Sequence, residues 1–479
     1  GMVIKMMIVV FLVGYLAIAL EHRMKVDKAG PALIMGTLLW VIYAMFGADI
    51  VAQYNPEEFI HYLETNPTIQ SVTAIEQCVS FIVNVQIIEQ LGEISETLFF
   101  LIGAMTIVEL IDVHGGFAII TNRIKTRNKT KLLWLIAFIT FFLSALLDNM
   151  TTSIVMVMLV RRIIQNYKER WVYASIIIIA ANSGGAWSPI GDITTIMLWV
   201  KGNVSAEGIV PAIFLPSLVS MLVPLCISSR LLHGIITTNN SGHEASGSWL
   251  TIITRKERAS IFILGIGCLV AVPLFKSVTH LPPFMGVLMA LGIMWVYTEV
   301  MYKRKVCVDE ALKHRVPRVI RRVDIPTILF FLGILLAVSA LQMTGVLGAF
   351  ASLLDEHVHN IYLINIFIGI MSSVVDNVPL VAAAIGMYPL ADSSSVIAAA
   401  DPEYMAAFMP DGIFWQMLAY CAGVGGSLLI IGSVAGVVVM GIEKISFVWY
   451  LKNVSLIALA GYLAGVGVFV LEQLVKGLF

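Results

Sequence analysis

The stretch Ser144-Ala145-Leu146-Leu147-Asp148-Asn149-Met150-Thr151-Thr152-Ser153 decides the fold. Its polar residues interrupt an apolar run, 132–160, that contains no Lys or Arg. Basic clusters flank that run on both sides: Arg123, Lys125, Arg127, Lys129 and Lys131 before it, Arg161, Arg162, Lys168 and Arg170 after it. Lys and Arg collect on the cytoplasmic side of a bilayer. Both ends of the run therefore belong on one side, and the polar centre marks a turning point. The reading is a re-entrant helical hairpin over 130–162. The 13 residues from Asp148 to Arg161 reach roughly 20 Å into a hydrocarbon core of roughly 30 Å.

Composition fits this setting. Of 479 residues, 59% are hydrophobic and 13% charged, where a soluble domain carries roughly 25% charged residues. Mean hydropathy is +0.90. A soluble enzyme and a disordered chain are excluded. A net charge of −1 offers no basic field for a nucleic-acid partner. The long apolar runs differ from the ten-residue alternating segments of a barrel. The class is an all-α polytopic membrane protein with the lipid bilayer as its solvent. Met2 to Leu20 reads as a first transmembrane helix. Lys5 and Ala17-Ile18-Ala19 also fit a signal peptide, but the basic run that follows favours an anchor.

Charge orients the rest. From Ala29 to Asn122 there is no Lys or Arg, while 47–95 holds seven acids, so that segment faces out. Residues 301–323 carry eight basic residues and face in. From Met343 to Gly412 basic residues are again absent. Inside that region lies Ser372-Ser373-Val374-Val375-Asp376-Asn377-Val378-Pro379. It is the tip of a second hairpin, 360–390, entering from the opposite face.

The halves repeat in order. Ser144 to Asn149 matches Ser372 to Asn377 at an offset of 228, and Gly184-Gly185 with Ile190-Gly191 matches Gly425-Gly426 with Ile431-Gly432 at an offset of 241. Two inverted-topology repeats are expected, 29–230 and 258–479, after an N-terminal helix within 1–28 and joined by a cytoplasmic linker, 231–257. Each repeat would hold one re-entrant hairpin and one discontinuous transmembrane helix, 172–200 and 413–441. Such repeats mark secondary transporters that bind substrate at the midplane. In Asn182-Ser183-Gly184-Gly185-Ala186-Trp187-Ser188-Pro189 the glycines and proline predict a half-helix ending near 181, an unwound stretch, and a second half-helix from about Pro189.

A carboxylate at a helix centre costs about 2.5–3.5 kcal/mol on insertion scales, so Asp148, Asp192 and Asp376 demand a reason. Hard cations prefer oxygen ligands of the types around them. The expected cation and proton site takes Asp148, Asn149 and Thr151 from the first tip and Asn182, Asp192, Thr194 and Thr195 from the first break. Na⁺ is expected on Asp148, Asn149, Asn182 and Asp192. A pseudo-symmetric site would use Asp376, Asn377, Ser427 and Ser433, with Ser433 standing where Asp192 does. Each Asp has a plainer alternative as a helix cap. Glu96 and Glu109 are candidate proton relays. His114, His357 and His359 read as solvated residues at a membrane edge. Neither an enzyme's nucleophile–base pair nor Cys/His metal spacing is visible.

Three motifs carry a resemblance: Ser-x-x-x-Asp-Asn-x-Thr-Thr at 144–152, Asn-Ser-Gly-Gly-Ala-Trp-Ser-Pro-Ile-Gly-Asp-Ile-Thr-Thr at 182–195, and Ser-Val-Val-Asp-Asn-Val-Pro at 373–379. They resemble the NhaD-type sodium/proton antiporters of the ion-transporter superfamily, from about residue 96 to the C-terminus. The resemblance implies exchange of Na⁺ or Li⁺ for H⁺ without a cofactor, and a homodimer working by an elevator-like mechanism in pH homeostasis. It also implies a multi-pass protein of the bacterial inner membrane. In that family the residues matching Asp148, Asn182, Asp192, Thr194 and Thr195 are functional. A second Asp that sometimes precedes the Asp-Asn is replaced here by Leu147. The alternatives are a sodium-coupled symporter of an anion such as a dicarboxylate, or a metalloid efflux carrier.

Overall fold

The computed structural model describes residues 2–20, 25–236, 252–373 and 377–478. Among these residues the chain is helical, and the one β-bridge is the isolated pair Asn128 and Ile235. In chain order the principal helices are α1 (Met2–Ala19), α2 (Ala29–Phe46), α3 (Ile87–Val113), α4 (Lys129–Ser144), α5 (Asn149–Ile163), α6 (Tyr167–Ala186), α7 (Ile193–Val200) and α8 (Ala206–Ser229). They continue as α9 (Arg255–Thr279), α10 (Pro283–Lys303), α11 (Ile325–Met343), α12 (Ile361–Met371), α13 (Asn377–Met387), α14 (Ile413–Gly425), α15 (Val434–Glu443) and α16 (Ser455–Leu478). Seven described helical stretches are long and apolar enough to cross a membrane: Ala29–Phe46, Ala74–Val113, Ala206–Ser229, Arg255–Lys276, Pro283–Lys303, Ile325–Met343 and Ser455–Gly477.

The chain divides into two compact units. The first comprises Gly1–Leu98, Asp324–Ile364 and Val378–Ser394. Its core is the crossing of α2 and α11. Gly36 lies on the Gly333 carbonyl, and Gly333 lies on the backbone of Ala32, so the helices meet with no side chain between them. Trp40 Nε1 donates to the Leu336 carbonyl at 3.0 Å across the same crossing. The Tyr43 hydroxyl donates to Gln86 Oε1 at 2.9 Å, which satisfies a buried phenol.

The second unit comprises Phe99–Val323, Asn365–Asn377 and Ser395–Phe479. Here α4 and α5 pack side by side, joined by the short turn 145–148, and both pack on α6. Helix α6 also packs on α14, and α5 on α15. Helix α6 runs through Asn182-Ser183-Gly184-Gly185 as regular helix and stops at Ala186; α7 begins at Ile193. The glycines expected to unwind the chain instead allow close packing: a Cβ on Gly184 would strike the Phe141 carbonyl of α4. A Cβ on Gly425 would strike the Gly369 carbonyl of α12 in the same way. These two contacts are related by the sequence offsets of 228 and 241. So are the Ser144 hydroxyl bond to the Ala181 carbonyl, 2.6 Å, and the Ser372 hydroxyl bond to the Ala422 carbonyl, 3.2 Å.

Candidate functional site

The site grows from four helix starts and two helix ends within the second unit. The break after Ala186 is packed by Trp187, whose ring lies against Phe141 and Phe214 with centroids 6.0 and 5.1 Å apart. Ser188 donates to the Ala145 carbonyl at 2.6 Å, fastening the break to the first hairpin turn. The chain then turns so that Asp192 is extended and caps α7. Its Oδ1 accepts from the Thr194 amide at 3.3 Å, and its own amide donates to Thr195 Oγ1 at 3.2 Å. Ser433 does the same for α15, accepting from the Gly436 amide at 3.1 Å. Both caps hold near-identical backbone angles, φ −142° and ψ 150° against φ −141° and ψ 155°.

A chain of hydrogen bonds joins these ends. Asn149 Nδ2 donates to Asn182 Oδ1 at 3.2 Å and to Asp192 Oδ2 at 3.3 Å. Asn182 Nδ2 donates to Ser427 Oγ and to Ser433 Oγ, each at 2.9 Å. Asn377 Nδ2 approaches Asp192 Oδ2 at 3.5 Å. Every one of these six side chains is buried. Asn182, in the last turns of α6, is the hub. The structure thus brings together Asn149, Asn182, Asp192, Asn377, Ser427 and Ser433, with Thr194 and Thr195 on the same helix start.

Asp148 is held differently. Its carboxylate caps α5, with Oδ1 accepting from the Thr151 amide at 2.6 Å and Oδ2 from the Thr151 hydroxyl at 3.0 Å. Thr151 is thereby its immediate partner. Asp376 lies outside the described residues. Glu96 is half-buried on α3 in the first unit. Glu109, on the same helix but in the second unit, lies 3.7 Å from the Arg322 guanidinium.

Two hydroxyls stand out. Thr194 Oγ1 and Thr152 Oγ1 are fully buried and have no hydrogen-bond partner among the described residues. Buried hydroxyls ordinarily find one. The motif points to Thr194 and not to Thr152, because two adjacent threonines on a helix start give no hint of which one turns inward. Ser188 was missed for a similar reason, since its bond is to a backbone carbonyl.

His114 departs from expectation. It is fully buried instead of solvated. Its Nδ1 donates to the Leu110 carbonyl at 2.6 Å, so Nε2 accepts from the Tyr302 hydroxyl at 2.7 Å. Burial pushes the ring down to about 4, and it is neutral at physiological pH.

Comparison with known proteins follows the same line. A family model described as citrate transporter, CitMHS, matches residues 4–410. Sodium/proton antiporter 2 of Arabidopsis thaliana is 40% identical over 465 residues, covering 96% of this chain and 97% of that protein. Sodium/proton antiporter 1 of the same plant is 40% identical over 467 residues, covering 97% of this chain and 71% of that protein. The Na(+)/H(+) antiporter NhaD of Vibrio cholerae is 29% identical over 485 residues, covering 96% of this chain and 90% of that protein. The motifs at 144–152, 182–195 and 373–379 lie within these matches, and the chain belongs to the NhaD-type sodium/proton antiporter family.

Proposed function

We propose that this multi-pass membrane protein exchanges Na⁺ or Li⁺ for H⁺ by alternating access, with cation and proton competing for the carboxylates of Asp148 and Asp192. The observation that carries the reading is the buried network around Asn182. It joins one carboxylate, three amides and two hydroxyls, and Thr194 adds an oxygen with no hydrogen-bond partner among the described residues. Oxygen ligands of this kind suit a hard monovalent cation. The Asp192 cap does not compete with this use: Asp192 holds its cap through Oδ1, and Oδ2 faces the two asparagine amides; Asp148, whose two oxygens both accept from Thr151, gives up the Thr151 hydroxyl to take a cation. A cation entering the network replaces those N–H donors on Oδ2, and the amides turn their oxygens toward it.

Competition supplies the coupling. A proton on the carboxylate removes the charge that holds the cation. Either loaded form crosses, whereas the bare anion bears an uncompensated desolvation cost and stays. Asp376, Asn377, Ser427 and Ser433 form the second, pseudo-symmetric part of the site in this proposal. The same reading takes the repeats as inverted, the hairpins as re-entrant and the carrier as an elevator-like homodimer serving pH homeostasis; the resemblance and the repeated contacts at fixed offsets support it. It belongs in a membrane that maintains a proton gradient, as the bacterial inner membrane does, and the plant relatives widen that choice.

The family model's description as a citrate transporter gives the anion-symport reading a foothold. Against it, residues 132–160, 172–200, 361–390 and 413–443 contain no Lys or Arg to meet a carboxylate substrate. In everted vesicles, Asp148→Asn abolishes Na⁺-induced proton movement on this account, and labelled citrate does not accumulate with or without Na⁺. Full exchange activity in Asp148→Asn defeats the assignment of that residue. Sodium-dependent citrate uptake defeats the exchange reading.

A further inference from the structure

The two broken helices are tied to each other at both of their far ends. Arg170, in the first turn of α6, donates through Nε to Glu443 Oε2 at 2.9 Å. Glu443 is the last residue of α15, and its side chain is only 2% exposed. Arg161, near the end of α5, lies 3.3 Å from the other oxygen, Oε1, and Trp171 Nε1 donates to the Glu443 carbonyl at 3.1 Å. One buried carboxylate therefore joins the start of the first broken helix, the end of the second, and the arm that carries Asn149.

The opposite ends are joined by different chemistry. Asp411, just before α14, accepts from the Ser205 amide at 2.6 Å and the Ser205 hydroxyl at 2.7 Å. Its own amide donates to the Asn203 carbonyl at 2.9 Å. Asp411 adopts φ +60°, a left-handed conformation uncommon outside glycine and most tolerated by Asn and Asp. This ties the start of the second broken helix to the turn that follows the first. Arg170 and Asp411 stand 241 residues apart, the offset that relates the breaks themselves, and position 202, beside this turn, is related to Glu443 by the same offset. The two ties are equivalent in place and each turns on a carboxylate, one paired with arginines and the other held by neutral donors.

Both ties bear on the network at the helix breaks. Helix α15 is 10 residues long, about 15 Å, with Ser433 capping one end and Glu443 closing the other. Ser433 receives the Asn182 amide, so the axial position of α15 sets an Asn182 distance. A buried carboxylate left without its arginines is strongly disfavoured, so the pairing is held in one register.

We infer that Glu443, with Arg161 and Arg170, and Asp411, with Asn203 and Ser205, are paired positioning residues that fix the register of the two broken helices and thereby set cation affinity. This rests on the exchange reading above. It is tested on purified full-length protein in proteoliposomes, measuring half-saturating Na⁺ and maximal rate of Na⁺-induced proton flux. Glu443→Gln and Asp411→Asn each raise half-saturating Na⁺ by roughly 2- to 30-fold, the range seen when coupling residues are altered. Maximal rate changes less. Arg170→Gln, which removes the closer arginine of the Glu443 carboxylate, shows the same shift. Should Glu443→Gln fail to fold, Glu443→Asp keeps the charge, shortens the reach and shows the same shift. A role in stability alone lowers protein yield and thermal midpoint without moving half-saturation, and that result overturns the inference. So does an Arg170→Gln variant that folds and leaves half-saturation where it is in the wild type. A wild type silent to Na⁺ and Li⁺, with no Na⁺-dependent thermal shift, overturns the exchange reading together with this one; a responsive wild type beside an unshifted Glu443→Gln overturns this one alone.

Discussion

Asn182 shows how one amide organises a polar core. It gives two hydrogen bonds, to Ser427 and Ser433, and takes one from Asn149, all between buried side chains. Asn182→Ala orphans those partners, and a buried unsatisfied polar group costs about 1–3 kcal/mol. We expect a lowered thermal midpoint and a half-saturating Na⁺ roughly 5- to 150-fold higher, the same free energy expressed as affinity; an unchanged half-saturation in folded protein speaks against the hub. His114 gives the complementary test. Its ring is held near a pKa of about 4 by burial, so it is neutral from pH 6 to 8 and contributes no titration there. His114→Gln accordingly leaves the shape of the exchange pH profile over that range unaltered, and loss of an acidic limb in the variant contradicts this assignment. The residues legible in advance were those with a chemical cost to explain: a carboxylate or amide in an apolar run. Thr152 and Ser188 carry no such cost in sequence, because a hydroxyl on a membrane helix can satisfy itself on its own backbone.

At the scale of elements, glycine was the ambiguous letter. Gly184-Gly185 predicted an unwound stretch from about 182, yet α6 continues to Ala186 and the break occupies 187–192. Glycine permits a break, and it equally permits two backbones to touch. Sequence periodicity cannot separate these uses, because both leave the same gap in the apolar pattern. The second use holds here, since Gly184 meets the Phe141 carbonyl and Gly425 the Gly369 carbonyl. Gly184→Ala and Gly425→Ala therefore force carbonyl oxygens aside in a close-packed interior, with an expected loss of roughly 1–3 kcal/mol each. Thermal unfolding in detergent measures it, and a neutral effect at either position denies the close approach. The carboxylate caps were only half readable: capping stands as the plainer alternative for each Asp, but the second half-helix expected from about Pro189 begins at Ile193, with Asp192 as its cap. His114 was misread because Gly115-Gly116 and the basic residues after it look like a chain leaving the membrane, and nothing local reveals the Tyr302 hydroxyl contributed 188 positions away.

For the whole molecule, charge distribution said more than charge content. The absence of basic residues from 29–122 and 343–412, and their concentration between, leads to the expectation of opposed hairpins and of a transporter. Helices and the order of motifs followed from that pattern; the two compact units did not, because residues 324–364 join the N-terminal segment through the α2–α11 crossing, a long-range packing that local hydropathy does not encode. In the proposed exchange, proton and cation compete for the carboxylates of Asp148 and Asp192, and this competition couples the two fluxes. It is tested most directly by adding Na⁺, Li⁺ or K⁺ to proteoliposomes holding the purified protein and a pH-sensitive dye, at several pH values. Proton movement is expected with Na⁺ or Li⁺ and not K⁺, with a half-saturating Na⁺ that rises by about tenfold per pH unit of acidification for each proton exchanged, once the carboxylate is mostly protonated. No response to any of the three ions, or a half-saturation indifferent to pH throughout, would contradict it.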